Sequence, residues 1–424
     1  MSANIYLEES TLPLFNRNSL PAQLSMKFNN DFLDQVLNFN LFGKPTVVEH
    51  INGINYFYNE FWTSRQRQGH RIHEISYRAC FKPELPRFFI ERLTRSGDTV
   101  YDPFMGRGTT PIEAALHGRI PLGNDINPLS VAFVAPRITP PSIASIERKI
   151  KEIPWEDFRE IKNKDLLVFY HPDTLAQIEG LRKWFISRQE NGLLDKEDEW
   201  IRMVALNRLT GHSSGFFSVY TLPPNQAASI QSQARINERL KQTPPKRDVP
   251  KIIMKKTKSL QSNGVAYSNR SMFCTGPSDK TPAISDQSIS LTVTSPPFLD
   301  IVNYESDNWL RCWFMGIDSK TINISQHRDI EAWQTFIAST LKELSRVTKI
   351  GGHIAFEVGE IRKGSIMLDS SVISAAQDLP LDVLGVLVNE QKFTKTSNCW
   401  GVSNNQAGTN SNRIIVFRRT KDDQ

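Results

Sequence analysis

The order strand, glycine loop, helix between Thr99 and Pro111 constrains this chain more than any other stretch. Ser96-Gly97-Asp98 turns the backbone into a short strand, Thr99-Val100-Tyr101. It runs into Asp102-Pro103-Phe104-Met105-Gly106-Arg107-Gly108-Thr109-Thr110, after which Pro111 is expected to open a helix at its favoured first position. Two glycines let backbone N–H groups approach a ligand closely, and a helix N-terminus adds unpaired donors and positive potential that suit a carboxylate. A second strand, Ile120-Pro121-Leu122-Gly123-Asn124, ends in Asp125, 23 residues after Asp102. An acid at the tip of a second strand is where a ribose diol is usually gripped, although Asp125 also suits a turn or cap before Ile126-Asn127-Pro128.

A second edge lies almost two hundred residues downstream. Ser288-Ile289-Ser290-Leu291-Thr292-Val293 reads as a buried strand that stops at Thr294-Ser295-Pro296-Pro297-Phe298-Leu299-Asp300, because two prolines fix φ and remove donors. The Ser295 hydroxyl and Pro296 carbonyl are then acceptors at the carboxyl edge of a sheet, with an aromatic face at Phe298. Acceptors beside a stacking ring suit a planar nucleobase with an exocyclic amine. A plain strand exit with a core phenylalanine would use the same residues.

Together these stretches resemble the S-adenosylmethionine-dependent amino-group DNA methyltransferases, which carry a DPF-x-G-x-G-T-T loop and a separate [SDN]-P-P-[YFW] loop. The resemblance covers roughly residues 73–136 and 270–418. It implies an α/β fold: a Rossmann-like methyltransferase sheet with helices on both faces. It implies that Asp102 and Thr109 hold the methionine end of S-adenosylmethionine, that Phe104, Gly106 and Gly108 form its pocket, and that Asp125 binds the ribose. Lys82 and Pro83 fall in the flanking cofactor motif, a looser match. The usual Gly-Asp adenine contact is here Gly276-Pro277-Ser278-Asp279, so Ser278 or Asp279 takes that role. Ser295, Pro296, Pro297 and Phe298 become the catalytic loop, and serine in its first position is typical of cytosine-N4 enzymes. Adenine N6 transfer, RNA amine methylation and a non-catalytic DNA-binding subunit with a vestigial cofactor fold are the rivals. Transfer to cytosine C5 is disfavoured, since no Pro-Cys dipeptide stands at a comparable loop.

A chain of 424 residues exceeds one compact core and suggests two or three domains. The boundaries read as a covering or DNA-contacting segment over 1–72, a cofactor-binding half over 73–136, a helical, basic insert over 137–268 and a catalytic half over 269–420. Helical patterns in the insert run over 174–185 and 200–209, with Trp184 and Trp200 expected in its core. Between Gln231 and Leu260 stand nine basic and two acidic residues, an excess of seven against a whole-chain net charge of +6. The positive field is therefore concentrated in the insert, where Lys246, Arg247, Lys255, Lys256 and Lys258 would anchor phosphates. The preceding amide- and aromatic-rich stretch adds Asn225 and Gln226 as base-edge donors, and Tyr304 is a further candidate for touching DNA. A solvated charged helix would have the same composition.

Cys80, Cys274, Cys312 and Cys399 stand singly, without metal-ligand spacing, so no metal is expected. No signal peptide or membrane-spanning stretch is evident, and a cytoplasmic, DNA-associated protein is the expectation. The implied partner is double-stranded DNA. A cognate restriction endonuclease is a functional rather than a physical counterpart, and no membrane is involved.

Overall fold

The computed structural model describes residues 31–62, 69–77, 80–223, 227–264, 267–297, 304–322, 329–361, 366–390 and 411–421. In chain order the first elements are α1 (Asp31–Leu37), β1 (Val47–Ile51), β2 (Ile54–Asn59), α2 (Glu84–Leu93), β3 (Thr99–Asp102), α3 (Thr109–Leu116), β4 (Ile120–Asp125) and α4 (Pro128–Ile138). A helical run follows: α5 (Ile143–Glu152), α6 (Pro172–Glu190), α7 (Lys196–Leu206), α8 (Ile230–Leu240) and α9 (Val249–Leu260). The chain then returns to the sheet with β5 (Met272–Thr275), β6 (Ile289–Thr294), α10 (Tyr304–Met315), α11 (Ile330–Val347) and β7 (Thr348–Val358). A small ribbon of β8 (Glu360–Ile361) and β9 (Ile366–Met367) precedes α12 (Leu368–Ala375), β10 (Leu381–Glu390) and β11 (Ser411–Arg419).

The main sheet has nine strands in the order β1-β2-β10-β11-β7-β6-β3-β4-β5. The stretch from β5 through β4, β3 and β6 to β7 is parallel, and β11 lies antiparallel between β7 and β10. Since β4 leaves β3 on one side and β6 joins it on the other, the order reverses beside β3. In open α/β sheets that reversal opens a crevice at the carboxyl ends of the strands. Buried side chains cover both faces. Trp333, Ile337 and Leu341 of α11 pack on one, and Phe88, Phe89 and Ile90 of α2 pack on the other.

The segment Ile54 to Asn59, open from sequence, pairs in parallel with β10 and brings β1 with it as an edge strand. Gly385 makes the approach possible: at φ +155° it faces the hairpin, where a Cβ would lie 2.7 Å from the Phe57 ring and 2.9 Å from the Asn55 carbonyl. The helix expected to open at Pro111 begins two residues earlier, at Thr109, with Gly108 at its cap. Proline is tolerated at its third position because that N–H has no intrahelical partner in any case.

The helices of residues 137–268 share one core with the sheet's flanking helices. Leu129, Phe133 and Val134 of α4 belong to the same buried cluster as Ile146, Phe185, Ile201 and Ile253. Trp200 is fully buried in it, donating to Thr257 at 3.0 Å, whereas Trp184 packs at its margin and donates to Asp198. Among the described residues no helix is long and apolar enough to cross a membrane.

Candidate functional site

The crevice holds a cavity of about 260 Å³ at the carboxyl ends of β3, β4, β5 and β6. Asp102, Phe104, Gly106, Thr109 and Asp125 line it on one side of the strand order, and Ser295, Pro296 and Pro297 on the other. Stretches nearly two hundred residues apart therefore share one cavity, because β3 and β6 are hydrogen-bonded neighbours.

Asp102 is almost fully buried, with its Oδ1 accepting from the Thr294 hydroxyl at 2.6 Å and from the Phe104 N–H at 3.0 Å. Burial pushes its carboxyl up to about 7, with the hydrogen bonds from Thr294 and Phe104 pulling the other way. Asp125 is clamped by backbone: Gly106 N–H donates to Oδ2 and Asn127 N–H to Oδ1, each at 2.8 Å. Burial raises its pKa as well, against those two hydrogen bonds. The glycine loop is thus tied to the acid at the tip of the neighbouring strand.

The two loop glycines do different work. Gly106, at φ +48°, lines the cavity, whereas Gly108, at φ +81°, does not. A Cβ on Gly108 would lie 2.3 Å from a Val134 methyl, so this glycine serves the close packing of α3 on α4. Lys82 is exposed and Pro83 caps α2; neither lines the cavity. Ser278 lines it, but its hydroxyl is engaged with the Thr340 hydroxyl at 3.0 Å. Asp279 also lines it and is exposed.

The sequence reading missed Glu357. It lies on β7 next to β6, is 4% exposed, accepts from Asn412 Nδ2 at 2.6 Å and has the Ser295 hydroxyl as an electrostatic neighbour. Burial raises its pKa above the usual glutamate range, and the Ser295 and Asn412 side chains oppose that. The sequence offers only a lone carboxylate in the strand His353-Ile354-Ala355-Phe356-Glu357-Val358, which without the neighbour relation of β7 and β6 does not point to the site. Tyr77, Cys80, Asn127 and Phe336 also line the cavity, with Phe336 lying 5.8 Å from the Phe104 ring. Phe298 lies outside the described residues.

On the insert, Lys255 and Lys258 are exposed on α9, together with Lys251. They recur at helical spacing and form one basic stripe. Lys246 is exposed but ion-paired with Asp173 at 2.7 Å, and Arg247 hydrogen-bonds through its backbone with Thr174. Lys256 points back toward the sheet domain, its side chain 10% exposed and paired with Glu74 at 2.8 Å. Asn225, Gln226 and the Tyr304 side chain lie outside the described residues. Cys274 and Cys312 are free thiols, and no cluster of metal-ligating side chains occurs among the described residues.

A parallel sheet reversing beside a glycine loop, with acids at the tips of two adjacent strands and a Ser-Pro-Pro edge on the same cavity, has the architecture of a Rossmann-like methyltransferase. Residues 34–134 match the model of the DNA methylase family N6_N4_Mtase, which together with the similarity to type II methyltransferases supports an S-adenosylmethionine-dependent amino DNA methyltransferase family. The chain is 29% identical over 143 residues to the type II methyltransferase M.MvaI of Kocuria varians, covering 32% of this chain and 30% of that protein. It is 22% identical over 356 residues to M.BsoBI of Geobacillus stearothermophilus, covering 76% of this chain. The match spans 66% of that relative's length. Among solved structures, a putative DNA modification methylase from Thermus thermophilus aligns at 18% identity and TM-score 0.23, over 35% of this chain and 54% of that one. TrmN from the same organism aligns at 11% identity and TM-score 0.32, over 81% and 50%.

S-adenosylmethionine is the cofactor of this family. The cavity's donor set fits it: a buried carboxylate for an ammonium, an acid fixed by backbone for a diol, and the aromatic faces of Phe104 and Phe336 for an adenine.

Proposed function

We propose that this protein is a site-specific methyltransferase that modifies the exocyclic N4 amine of cytosine in double-stranded DNA, in the role of the modification half of a restriction system. The reading rests on Ser295. This serine shares a cavity with Asp102 and Asp125, and its hydroxyl neighbours the buried Glu357, whose pKa it lowers. Donation to Glu357 leaves the serine oxygen as an acceptor for an amine N–H.

The cofactor supplies an electrophilic methyl group on a sulfonium. Asp102 and Thr109 hold its amino-acid end, Phe104 and Gly106 shape the pocket, Asp125 takes the ribose, and Asp279 rather than the already engaged Ser278 meets the adenine edge. An exocyclic amine is a poor nucleophile because its lone pair is delocalised into the ring. Acceptance of its hydrogens by the Ser295 oxygen and the Pro296 carbonyl biases it toward a tetrahedral geometry. Glu357, behind Ser295, is the group that can take up the released proton. Because the amine is paired within a duplex, the base has to leave the stack, and Phe298 is the residue to stack on it. Positioning and exclusion of water supply most of the rate.

Residues 137–268 are proposed as the target-recognition region, with Lys255 and Lys258 the foremost phosphate anchors and Lys256 a structural cation. Serine in the first position of the loop and the similarity to type II methyltransferases support the cytosine-N4 and restriction-modification readings. The test is transfer of labelled methyl to unmethylated DNA by the wild type and by Ser295→Ala. The variant should lose turnover by a hundredfold or more while still binding S-adenosylhomocysteine; a fully active variant would contradict the role.

A further inference from the structure

The wall of the cofactor cavity carrying Tyr77 belongs to a strap, residues 69–77, that precedes α2 and lies outside the main sheet. Its only described regular element is one short turn, Arg71–His73. Side chains from elsewhere hold the rest. On the side of the glycine loop, Arg107 Nη1 donates to the Ile75 carbonyl at 3.1 Å. On the insert side, Asn207 at the end of α7 accepts from the Ser76 N–H at 3.2 Å and donates to the Glu74 carbonyl at 3.0 Å. The Lys256–Glu74 pair adds a tie from α9. On the far side of the same residue, Arg311 of α10 donates to the Ser76 carbonyl at 2.8 Å.

Ser76 is therefore bonded on one side by the insert and on the other by the helix that follows the Ser-Pro-Pro loop, and the next residue lines the cavity. Tyr77 in turn accepts from Asn127 Nδ2 at 3.4 Å and packs edge-on against Phe133 at 6.0 Å, so its ring follows where Ser76 is held. Asn207 is buried, 2% exposed, and both ends of its amide are spent on the strap.

We infer that Asn207 and Arg311 are positioning residues for the cofactor: the insert builds one wall of the cofactor cavity through Ser76 and Tyr77, in addition to any contact it makes with DNA. The inference rests on the methyltransferase reading of the cavity. It predicts a specific division of kinetic effects, because the strap touches the cofactor site and leaves Ser295 and the basic stripe of α9 untouched.

The experiment uses the full chain, labelled S-adenosylmethionine and unmethylated bacteriophage DNA, with calorimetric binding of S-adenosylhomocysteine alongside. Asn207→Ala should raise KM for S-adenosylmethionine about tenfold and weaken S-adenosylhomocysteine to a similar extent, with kcat and DNA affinity within about twofold of wild type. Glu74→Gln, which cuts only the half-exposed ion pair and leaves folding secure, should raise the same KM about threefold. A merely structural role would lower the active fraction, and hence kcat, with KM unchanged. That pattern in both variants, or an unchanged cofactor affinity in Glu74→Gln should Asn207→Ala not fold, would overturn the inference. A wild type that binds no S-adenosylhomocysteine at all would instead overturn the reading of the cavity.

Discussion

Glu357 on β7, a buried carboxylate that accepts from Asn412 Nδ2 at 2.6 Å, has Ser295 at the end of β6 as a neighbour whose hydroxyl lowers its pKa against the effect of burial. A serine that donates to this carboxylate would present an oxygen, not a proton, to the cavity. Replacing the carboxylate by an amide keeps the shape but permits the hydroxyl to rotate.

Glu357→Gln is therefore expected to lower kcat by about 10²-fold, the range typical of a lost proton-handling group, while KM for S-adenosylmethionine stays within twofold. Single-turnover kinetics on unmethylated DNA checks this. In the wild type the acid limb of the kcat profile should lie above the ordinary glutamate range, because burial raises the Glu357 pKa and activity requires its ionised form. The variant should lack that limb.

Asp102 offers a second pH dependence of opposite interest. Its carboxyl is pushed up to about 7 by burial, so its ionised form is disfavoured in the folded protein. For a carboxylate with a raised folded pKa, the folded state binds more protons than the unfolded one between the two pKa values, and stability falls as pH rises through that window. Asp102→Asn should accordingly raise the melting temperature at pH 8 and leave it nearly unchanged at pH 4. The same substitution should weaken S-adenosylhomocysteine by tenfold or more at pH 8. In the wild type, cofactor affinity should decline as pH falls through about 7, where Asp102 takes up its proton. Calorimetry across that range measures both effects.

Gly108 is where backbone conformation and packing coincide. Alanine there must adopt φ +81° and push its Cβ into Val134, which would lie 2.3 Å away. Left-handed strain costs roughly 1–2 kcal/mol and overpacking roughly 1–3 kcal/mol, so Gly108→Ala should destabilise the protein by about 2–5 kcal/mol. Val134→Ala in the same chain should restore part of the loss, since it relieves the overpacking and not the strain. Urea denaturation of the single and double variants tests this.

Much of the architecture could be read before the structure was known, and the reasons are local. The Asp102 to Thr110 loop and the Ser-Pro-Pro edge are contiguous stretches whose spacing states their geometry. Asp125 follows from the strand it terminates. Glu357 could not be found this way, because its meaning depends on β7 lying beside β6, a neighbour relation set by topology. The hairpin of β1 and β2 was equally opaque: its docking depends on Gly385, more than three hundred residues away. Charge counting gives the insert's basic composition, but it could not separate Lys255 and Lys258, which face solvent, from Lys256, whose partner Glu74 is distant in sequence.

That distinction is itself a prediction. Lys255→Glu with Lys258→Glu should weaken binding to DNA and reduce the steepness of its salt dependence by roughly 2 in log–log slope, if each lysine neutralises one phosphate. Lys256→Gln should leave the slope nearly unchanged. Fluorescence titration of a mixed-sequence duplex at several salt concentrations separates the two.

The most direct measurement of the central claim is mass analysis of nucleosides from unmethylated DNA incubated with the purified protein and labelled S-adenosylmethionine. The account predicts N4-methylcytosine, absent from the Ser295→Ala reaction. N6-methyladenine would contradict the inference from serine to cytosine while retaining the cavity and its cofactor, and DNA left without label would contradict the proposed activity itself.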